Sequence, residues 1–331
     1  HRRSGAKPHP KNKAGTQGRI VRRMLAMLLL ADAPAWVTDY PISAVLAGLL
    51  LLVIGAEVLV RGAVWIALAA GMSPMAVGLT LVSIGTSLPE LLVTLSAADG
   101  HADMGMANVL GSNVANVLLI VGAAAAIRAI HVKTRALELS YMLVMTALAC
   151  VPFFLGARLE RWVSIVMLIV LGLFLFQLLA RERLARKLIE DKPKHQASAL
   201  GWIAHLTLLV AGFLGLQYGA DWLVDGASQV ATNLGMTDAV IGVTVVAIGT
   251  SMPELATSAV AALRGQSEIC IGNVIGSNIF NVGAVLGGAG IVHPFAFDSS
   301  RLFVTLGVTV ISAVVLTVIL RKANGVPRSV G

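Results

Sequence analysis

Apolar positions along this chain neither alternate with polar ones nor recur on a single helical stripe. They run in long blocks separated by short polar connections. Blocks of about 20 residues match the ~30 Å hydrocarbon core of a bilayer when coiled as helices, whereas a barrel strand needs alternation over about ten residues. Nine spans are predicted, at 42–70, 75–98, 105–127, 137–156, 162–180, 200–231, 237–262, 269–291 and 302–320. The longest polar connection, 181–199, carries Arg181, Arg183, Arg186, Lys187, Lys192 and Lys194, and reads as a short basic linker.

The blocks repeat. Gly78–Leu91 reads GLTLVSIGTSLPEL and Gly242–Leu255 reads GVTVVAIGTSMPEL, with ten of 14 positions identical at an offset of 164. Asn108–Leu118 (NVLGSNVANVL) matches Asn273–Gly283 (NVIGSNIFNVG) at seven of 11, offset 165. The register also holds for Gly48/Gly212, Gly55/Gly219, Gly62/Gly226 and Gly71/Gly235. Five spans, an odd number, fit within the offset, so the second copy enters the membrane with the opposite orientation. The fold class is therefore an all-α polytopic membrane protein, an inverted-topology repeat of five transmembrane helices. Secondary transporters use this architecture, with the substrate site between the copies at the midplane. The offset projects the fifth span, 162–180, onto 327–345, and only 327–331 are present. The expected organisation is a basic, disordered N-terminal tail (1–41), a first repeat of five helices (42–180), a cytoplasmic basic linker (181–199) and a second repeat (200–331) with four helices and a truncated fifth. An uncovered apolar groove along 302–320, and a C-terminus on the side of the 181–199 loop, follow from that truncation.

Composition agrees. Hydrophobic residues are 57% and charged residues 13% of the 331, and the mean hydropathy is +0.84. Disorder, coiled coil, collagen and a nucleic-acid-binding domain are excluded. The net charge of +8 belongs to the tail: residues 1–41 hold eight of the 25 Lys+Arg and two acids, leaving the body near +2. Connections 128–136, 181–199, 264–267 and 321–331 hold thirteen Lys/Arg, against Arg158, Arg161 and Arg301 on the opposite side. The basic side is expected to be cytoplasmic. Cys150 and Cys270 read as small core residues, and His205 as packing.

Candidate chemistry sits in the repeated motifs. Glu90 and Glu254 fall inside spans, where an ionisable group costs about 2.5–3.5 kcal/mol on insertion scales and marks a functional site. In Gly85-Thr86-Ser87-Leu88-Pro89-Glu90 the proline frees carbonyls near Gly85 and Thr86, tolerated at membrane depth where they meet a ligand. Gly249-Thr250-Ser251-Met252-Pro253-Glu254 supplies the same set from the other direction. Two carboxylates with hydroxyl and carbonyl oxygens make a hard-oxygen site, suited to Ca²⁺ and Na⁺ rather than Zn²⁺ or copper. Ser112 and Asn116 are four apart and share a helix face, as do Ser277 and Asn281, so neutral oxygens could complete the shell. A kinked packing helix would explain one such copy; two copies with intramembrane glutamates favour the ligand reading. Glu57 and Asp221 correspond, and read as structural or interfacial.

The doubled GTS-x-PE and GSN-x-x-N motifs resemble the two repeats of the calcium/cation antiporter superfamily, with prokaryotic sodium/calcium exchangers the closest resemblance, over about 42–320. That resemblance implies a ten-helix exchanger fold, with spans two, three, seven and eight as ion-binding core and the long first and sixth helices sliding against it. It implies that Glu90 and Glu254 are shared Ca²⁺/Na⁺ carboxylates. Thr86 and Thr250 would give carbonyl oxygens to Ca²⁺. Carbonyls of Ser83 and Ala247, with Ser87, Ser251, Ser112 and Ser277, would serve flanking Na⁺ sites, and Asn116 and Asn281 would close the central one. Some relatives have Asp at the position of Asn281, which puts K⁺ dependence and stoichiometry in doubt here.

The expected function is Na⁺/Ca²⁺ antiport, coupled by competition for the same oxygens; three Na⁺ per Ca²⁺, as the resemblance implies, would move one net charge. Proton/Ca²⁺ exchange through the same glutamates is the alternative, and a channel or non-transporting cation sensor is the reading from another class. No nucleotide loop, His/Cys metal cluster or nucleophile with a base suggests an enzyme. Expected partners are the two transported ions and the lipid bilayer, in the cell (inner) membrane of a prokaryote; nucleic acid, an obligate protein partner and a resident cofactor are not expected.

Overall fold

The computed structural model describes residues 34–98, 102–132, 136–188, 198–236, 247–323 and 325–326. A short helix α1 (Ala35–Asp39) leads into α2 (Pro41–Ala70), which begins with a proline where no amide hydrogen is needed and ends at Gly71 with φ 63°. The second span is two helices, α3 (Pro74–Thr86) and α4 (Leu88–Ala97), bent by 43° across Ser87. Then come α5 (Ala102–Ala115, continued through a π-turn at Asn116–Ile120 into Val121–Ile127), β1 (Ile130–His131) and α6 (Ala136–Phe154). These are followed by β2 (Arg158–Leu159), α7 (Arg161–Leu188) and α8 (Ala199–Asn233). After the turn Ala247–Gly249 come α9 (Met252–Leu263) and α10 (Ser267–Phe280, continued through a π-turn at Asn281–Leu286 into Gly287–Val292). The order closes with β3 (Phe295–Ala296), α11 (Ser299–Ala323) and β4 (Gly325–Val326).

Among the described residues seven helices are long and apolar enough to cross a membrane, and the bent pair α3/α4 makes an eighth. The remaining predicted span, 237–262, is described from Ala247 onward. Residues 237–246, most of the tail, most of the basic linker and 327–331, where the truncated helix was expected, lie outside the described residues.

Helices α2 and α8 form one long antiparallel pair. At 30 and 35 residues they measure about 45 and 52 Å, more than a bilayer core, so both must tilt. Glycines seven apart line the seam: Gly48, Gly55 and Gly62 against Gly219, Gly212 and the stretch His205–Leu209. A Cβ on Gly48 would lie 2.6 Å from the Leu223 nitrogen, so only hydrogen fits there. Aromatics clasp both ends, Trp36 on Trp222 with ring centres 5.0 Å apart, and Trp65 stacked on His205 at 4.0 Å. His205 also bonds the Gly201 carbonyl at 2.8 Å, which accounts for it as packing. Glu57, midway along α2, pairs with Arg61 at 2.6 Å and with Arg264 at the end of α9, tying the long pair to the core. Its counterpart Asp221 accepts the Gln217 amide at 3.0 Å.

The core is formed by α3, α4, α5, α9 and α10. α10 is almost wholly buried, because α7 covers it: a Cβ on Gly287 would sit 3.1 Å from Leu168 Cγ, and one on Gly283 2.9 Å from Leu171 Cβ. An apolar face along 302–320 was expected from the repeat. Phe303, Val304 and Ile311 there are indeed exposed. But the repeat maps Gly283 and Gly287 onto Leu118 and Gly122 of α5, where Leu118 is 54% exposed and a Cβ on Gly122 would meet nothing within 4 Å. The position that α7 covers on α10 is thus exposed at its repeat counterpart on α5.

The two ends of the bundle mirror each other. β1 pairs with β4 and β2 with β3, both antiparallel. His131 of β1 lines a polar cavity of about 350 Å³ with Arg128, Gly265–Glu268 and Pro74. At the other end Asp103 accepts the Asp298 N–H at 2.7 Å, and Asp298 caps α11 through the Ser300 N–H at 3.0 Å.

Candidate cation site

Both broken spans turn at a serine. Ser87 has φ −85° and ψ 6°, and Ser251 has φ −91° and ψ 5°, so the two halves reproduce one backbone device. Pro89 and Pro253 then occupy the first turn of a new helix, where a missing N–H costs nothing. Ser-x-x-Glu is the sequence of a capping box, in which the serine hydroxyl would bond the N–H three residues on. Here neither serine caps its helix. Ser87 Oγ instead reaches across to Glu254 Oε1 at 3.4 Å, and Ser251 Oγ is buried without a partner. Glu90 and Glu254 stand in the first turn of α4 and α9, at the positive end of each helix dipole.

The carboxylates are 0% and 1% exposed, and Ser87, three residues before Glu90, brings the first half against Glu254. Among the described residues no Lys, Arg or His pairs with either. Glu90 Oε1 accepts Ser112 Oγ at 3.4 Å, and Glu90 Oε2 and Glu254 Oε2 accept nothing. A distance of 3.4 Å is long for a hydroxyl donor, so these bonds leave the oxygens largely unsatisfied.

Asparagines complete the arrangement in two-fold fashion. Asn116 Nδ2 donates to Asn278 Oδ1 at 3.0 Å, and Asn281 Nδ2 donates to Asn113 Oδ1 at 3.1 Å. With the nitrogen side of each amide engaged, Asn116 Oδ1 and Asn281 Oδ1 remain buried and unpartnered. Both residues open a π-turn, a local widening common at functional sites. Asn273 is a further link, donating to Ser258 Oγ at 3.1 Å and accepting from Thr86 Oγ1 at 3.2 Å. Its counterpart Asn108 donates to Thr94 Oγ1 at 3.1 Å.

Of the sequence-predicted residues, Glu90, Glu254, Ser87, Ser251, Ser112, Ser277, Asn116, Asn281, Thr86 and Ser83 are all buried in this core. Thr86 lies 3.4 Å from Ser277, hydroxyl to hydroxyl. The Ser83 carbonyl accepts the Ser87 N–H at 3.0 Å, and its hydroxyl bonds the Gly78 and Asn273 carbonyls at 2.7 and 3.0 Å, a helix-joining role. Thr250 is half-buried, unlike Thr86. Ala247 opens the turn before it; its side chain lies outside the described residues. Asn113, Asn278 and Asn273 stood inside the quoted motifs without a role. Thr257, fully buried with Oγ1 unpartnered, was passed over because a single threonine in a helix gives no signal.

On the helices that carry the repeated motifs, six buried oxygens therefore have no hydrogen-bond partner among the described residues: Glu90 Oε2, Glu254 Oε2, Asn116 Oδ1, Asn281 Oδ1, Ser251 Oγ and Thr257 Oγ1. Buried polar groups are ordinarily bonded. A cluster that is all acceptor-capable oxygen and carries two carboxylates suits a hard cation.

Comparison with known proteins gives a consistent picture. The family described as sodium/calcium exchanger protein matches residues 40–180 and 204–328. The inner membrane protein YrbG of Escherichia coli is 33% identical over 268 residues, covering 77% of this chain and 81% of that protein. The sodium/calcium exchanger MaX1 of Methanosarcina acetivorans is 46% identical over 95 residues, 29% of this chain and 27% of that protein. A solved structure of the sodium-calcium exchanger NCX_Mj, soaked with 2.5 mM Na⁺ and 10 mM Sr²⁺, superposes with a TM-score of 0.75 at 30% identity, covering 88% of this chain and 94% of that one.

Proposed function

This chain belongs to the sodium/calcium exchanger protein family, and from that premise we propose that it exchanges Na⁺ for Ca²⁺ at one buried site shared by Glu90 and Glu254. The family consists of integral membrane cation/Ca²⁺ antiporters, not enzymes. The observation that carries the finer reading is the pair of buried carboxylates without a basic partner, surrounded by unsatisfied oxygens.

Two carboxylates in a low-dielectric core need two positive charges. One Ca²⁺ supplies both, and several Na⁺ supply them in sequence. The ions compete for the same Oε atoms, so binding of one displaces the other. A carrier that changes access only when its carboxylates are compensated then couples the two fluxes. Asn116 and Asn281 contribute neutral oxygens whose orientation Asn278 and Asn113 fix, Ser87 and Ser112 hydroxyls turn from the glutamates to ions, and Ser251 adds a further oxygen. Na⁺ as the driving ion is supported by MaX1 and NCX_Mj, both named as sodium/calcium exchangers.

The experiment is ⁴⁵Ca²⁺ uptake into proteoliposomes. An outward Na⁺ gradient is expected to drive accumulation, and a pH gradient alone is not. Accumulation driven by the pH gradient and indifferent to Na⁺ would make protons the counter-ion of the same glutamates.

A further inference from the structure

The two halves match closely around the glutamates, and one turn further on they part. Glu90 is followed three residues later by Val93, which is half-buried. Glu254 is followed at the same spacing by Thr257, which is 0% exposed. A buried threonine in a helix usually returns its hydroxyl to the carbonyl four residues back, as Thr80, Thr146 and Thr317 do here at 2.7, 2.9 and 2.8 Å. Thr257 makes no such bond, and its Oγ1 is among the oxygens without a partner.

Helix geometry gives its direction. With 100° per residue, Ser258 lies about 40° to one side of Glu254 and Thr257 about 60° to the other. Ser258 accepts from Asn273 of α10. α9 packs on α10 and also on the Asn116–Ile127 part of α5. The half-buried positions Leu255, Ala256 and Ala259 mark the opposite face of α9, which also packs on α2 and α8. Thr257 is thereby placed on the α5 side, the side of Asn116 with its own free Oδ1.

We propose that Thr257 supplies a further ion-facing hydroxyl, making an off-centre station for a small monovalent cation one turn beyond Glu254 toward the Arg264 end. The first half offers no equivalent, because Val93 has no oxygen. The station rests on the two-carboxylate reading above. It makes the site lopsided: Na⁺ has one more oxygen-lined step on the side of the second repeat than on the side of the first. A lone hydroxyl beside a shared carboxylate oxygen suits a singly charged ion, so the Na⁺ branch of the cycle is the one affected.

The test is Na⁺-dependent Ca²⁺ release from proteoliposomes, read as the Na⁺ concentration for half-maximal rate. Thr257→Val keeps the shape and removes the oxygen; it is expected to raise that concentration threefold or more, while half-maximal Ca²⁺ moves less than twofold. Thr257→Ser restores a hydroxyl and is expected to bring the Na⁺ value back toward wild type. If Thr257→Val does not fold, Thr257→Ala carries the same expectation. Superposable Na⁺ curves for Thr257→Val and wild type would overturn the station. Glu254→Gln runs alongside: if it is inactive while Thr257→Val behaves as wild type, only the station fails, and if it exchanges normally the two-carboxylate reading itself fails.

Discussion

At the scale of single residues, the site depends on which atoms are kept free as much as on which are present. Asn116 and Asn281 can offer Oδ1 because their nitrogens are held by Asn278 and Asn113, across the boundary between the halves. Asn113→Ala removes the acceptor for Asn281 while leaving both glutamates in place. With a net worth of about 0.5–1.5 kcal/mol for such a bond, apparent Ca²⁺ affinity should fall about two- to tenfold, with little change in maximal rate. Isothermal Ca²⁺ titration in detergent checks this; unchanged affinity would mean that the amide orients without its partner. The serines behave similarly. Ser87 and Ser251 have the sequence of helix caps, yet neither hydroxyl is spent on its own helix. The identities of these residues were legible, because the motif recurs and because glutamates within apolar spans invite a functional reading. Their pairing was not, since Asn113 and Asn281 are 168 positions apart and meet only when the halves interleave.

At the scale of elements, the spans were legible from length and hydropathy; most predicted bounds fall within a few residues of the helices observed, but the fifth span runs on to Leu188, eight residues past its predicted end, because its last turns are polar, and the start of the 237–262 span lies outside the described residues. The break at Ser87 was foreshadowed by Pro89, although the proline proves to start a second helix rather than to kink one. The π-turns at Asn116 and Asn281 were not foreshadowed, because Asn-Val-Leu-Leu-Ile has no composition that separates a π-turn from an α-turn. The close seam between α2 and α8 was half-legible. The matched glycines were visible, but their purpose appears only where Gly48 meets Leu223 and Gly219. Gly48→Leu should force the long helices apart at a cost of about 1–3 kcal/mol. A lowered thermal midpoint with slowed exchange and retained Ca²⁺ binding is expected, since Gly48 touches none of the site residues. Loss of Ca²⁺ binding in a folded Gly48→Leu protein would place the seam and the site in one unit.

At the scale of the whole molecule, the inverted repeat supplies two matched half-sites of opposite polarity, from which the proposed cation site is built. If three Na⁺ move against one Ca²⁺, each cycle carries one positive charge, worth about 2.3 kcal/mol per 100 mV. Ca²⁺ export should then respond to an inside-negative potential by up to about fiftyfold in the equilibrium gradient at that voltage. A valinomycin-clamped K⁺ potential in proteoliposomes measures this, and voltage-independent exchange would imply two Na⁺ per Ca²⁺. Among the described residues, Arg128 and Gly265–Glu268 lie with His131 of β1 at one end of the bundle, the end that the distribution of Lys and Arg in the sequence predicts to be cytoplasmic. The central claim is that Glu90 and Glu254, one from each half, form a single cation site. Its most direct test is Na⁺-dependent ⁴⁵Ca²⁺ exchange by purified, reconstituted Glu90→Gln and Glu254→Gln proteins with wild-type thermal midpoints. Each variant alone should abolish exchange, because a divalent ion would then face one carboxylate in the core. Near-wild-type exchange by either one would contradict the shared site.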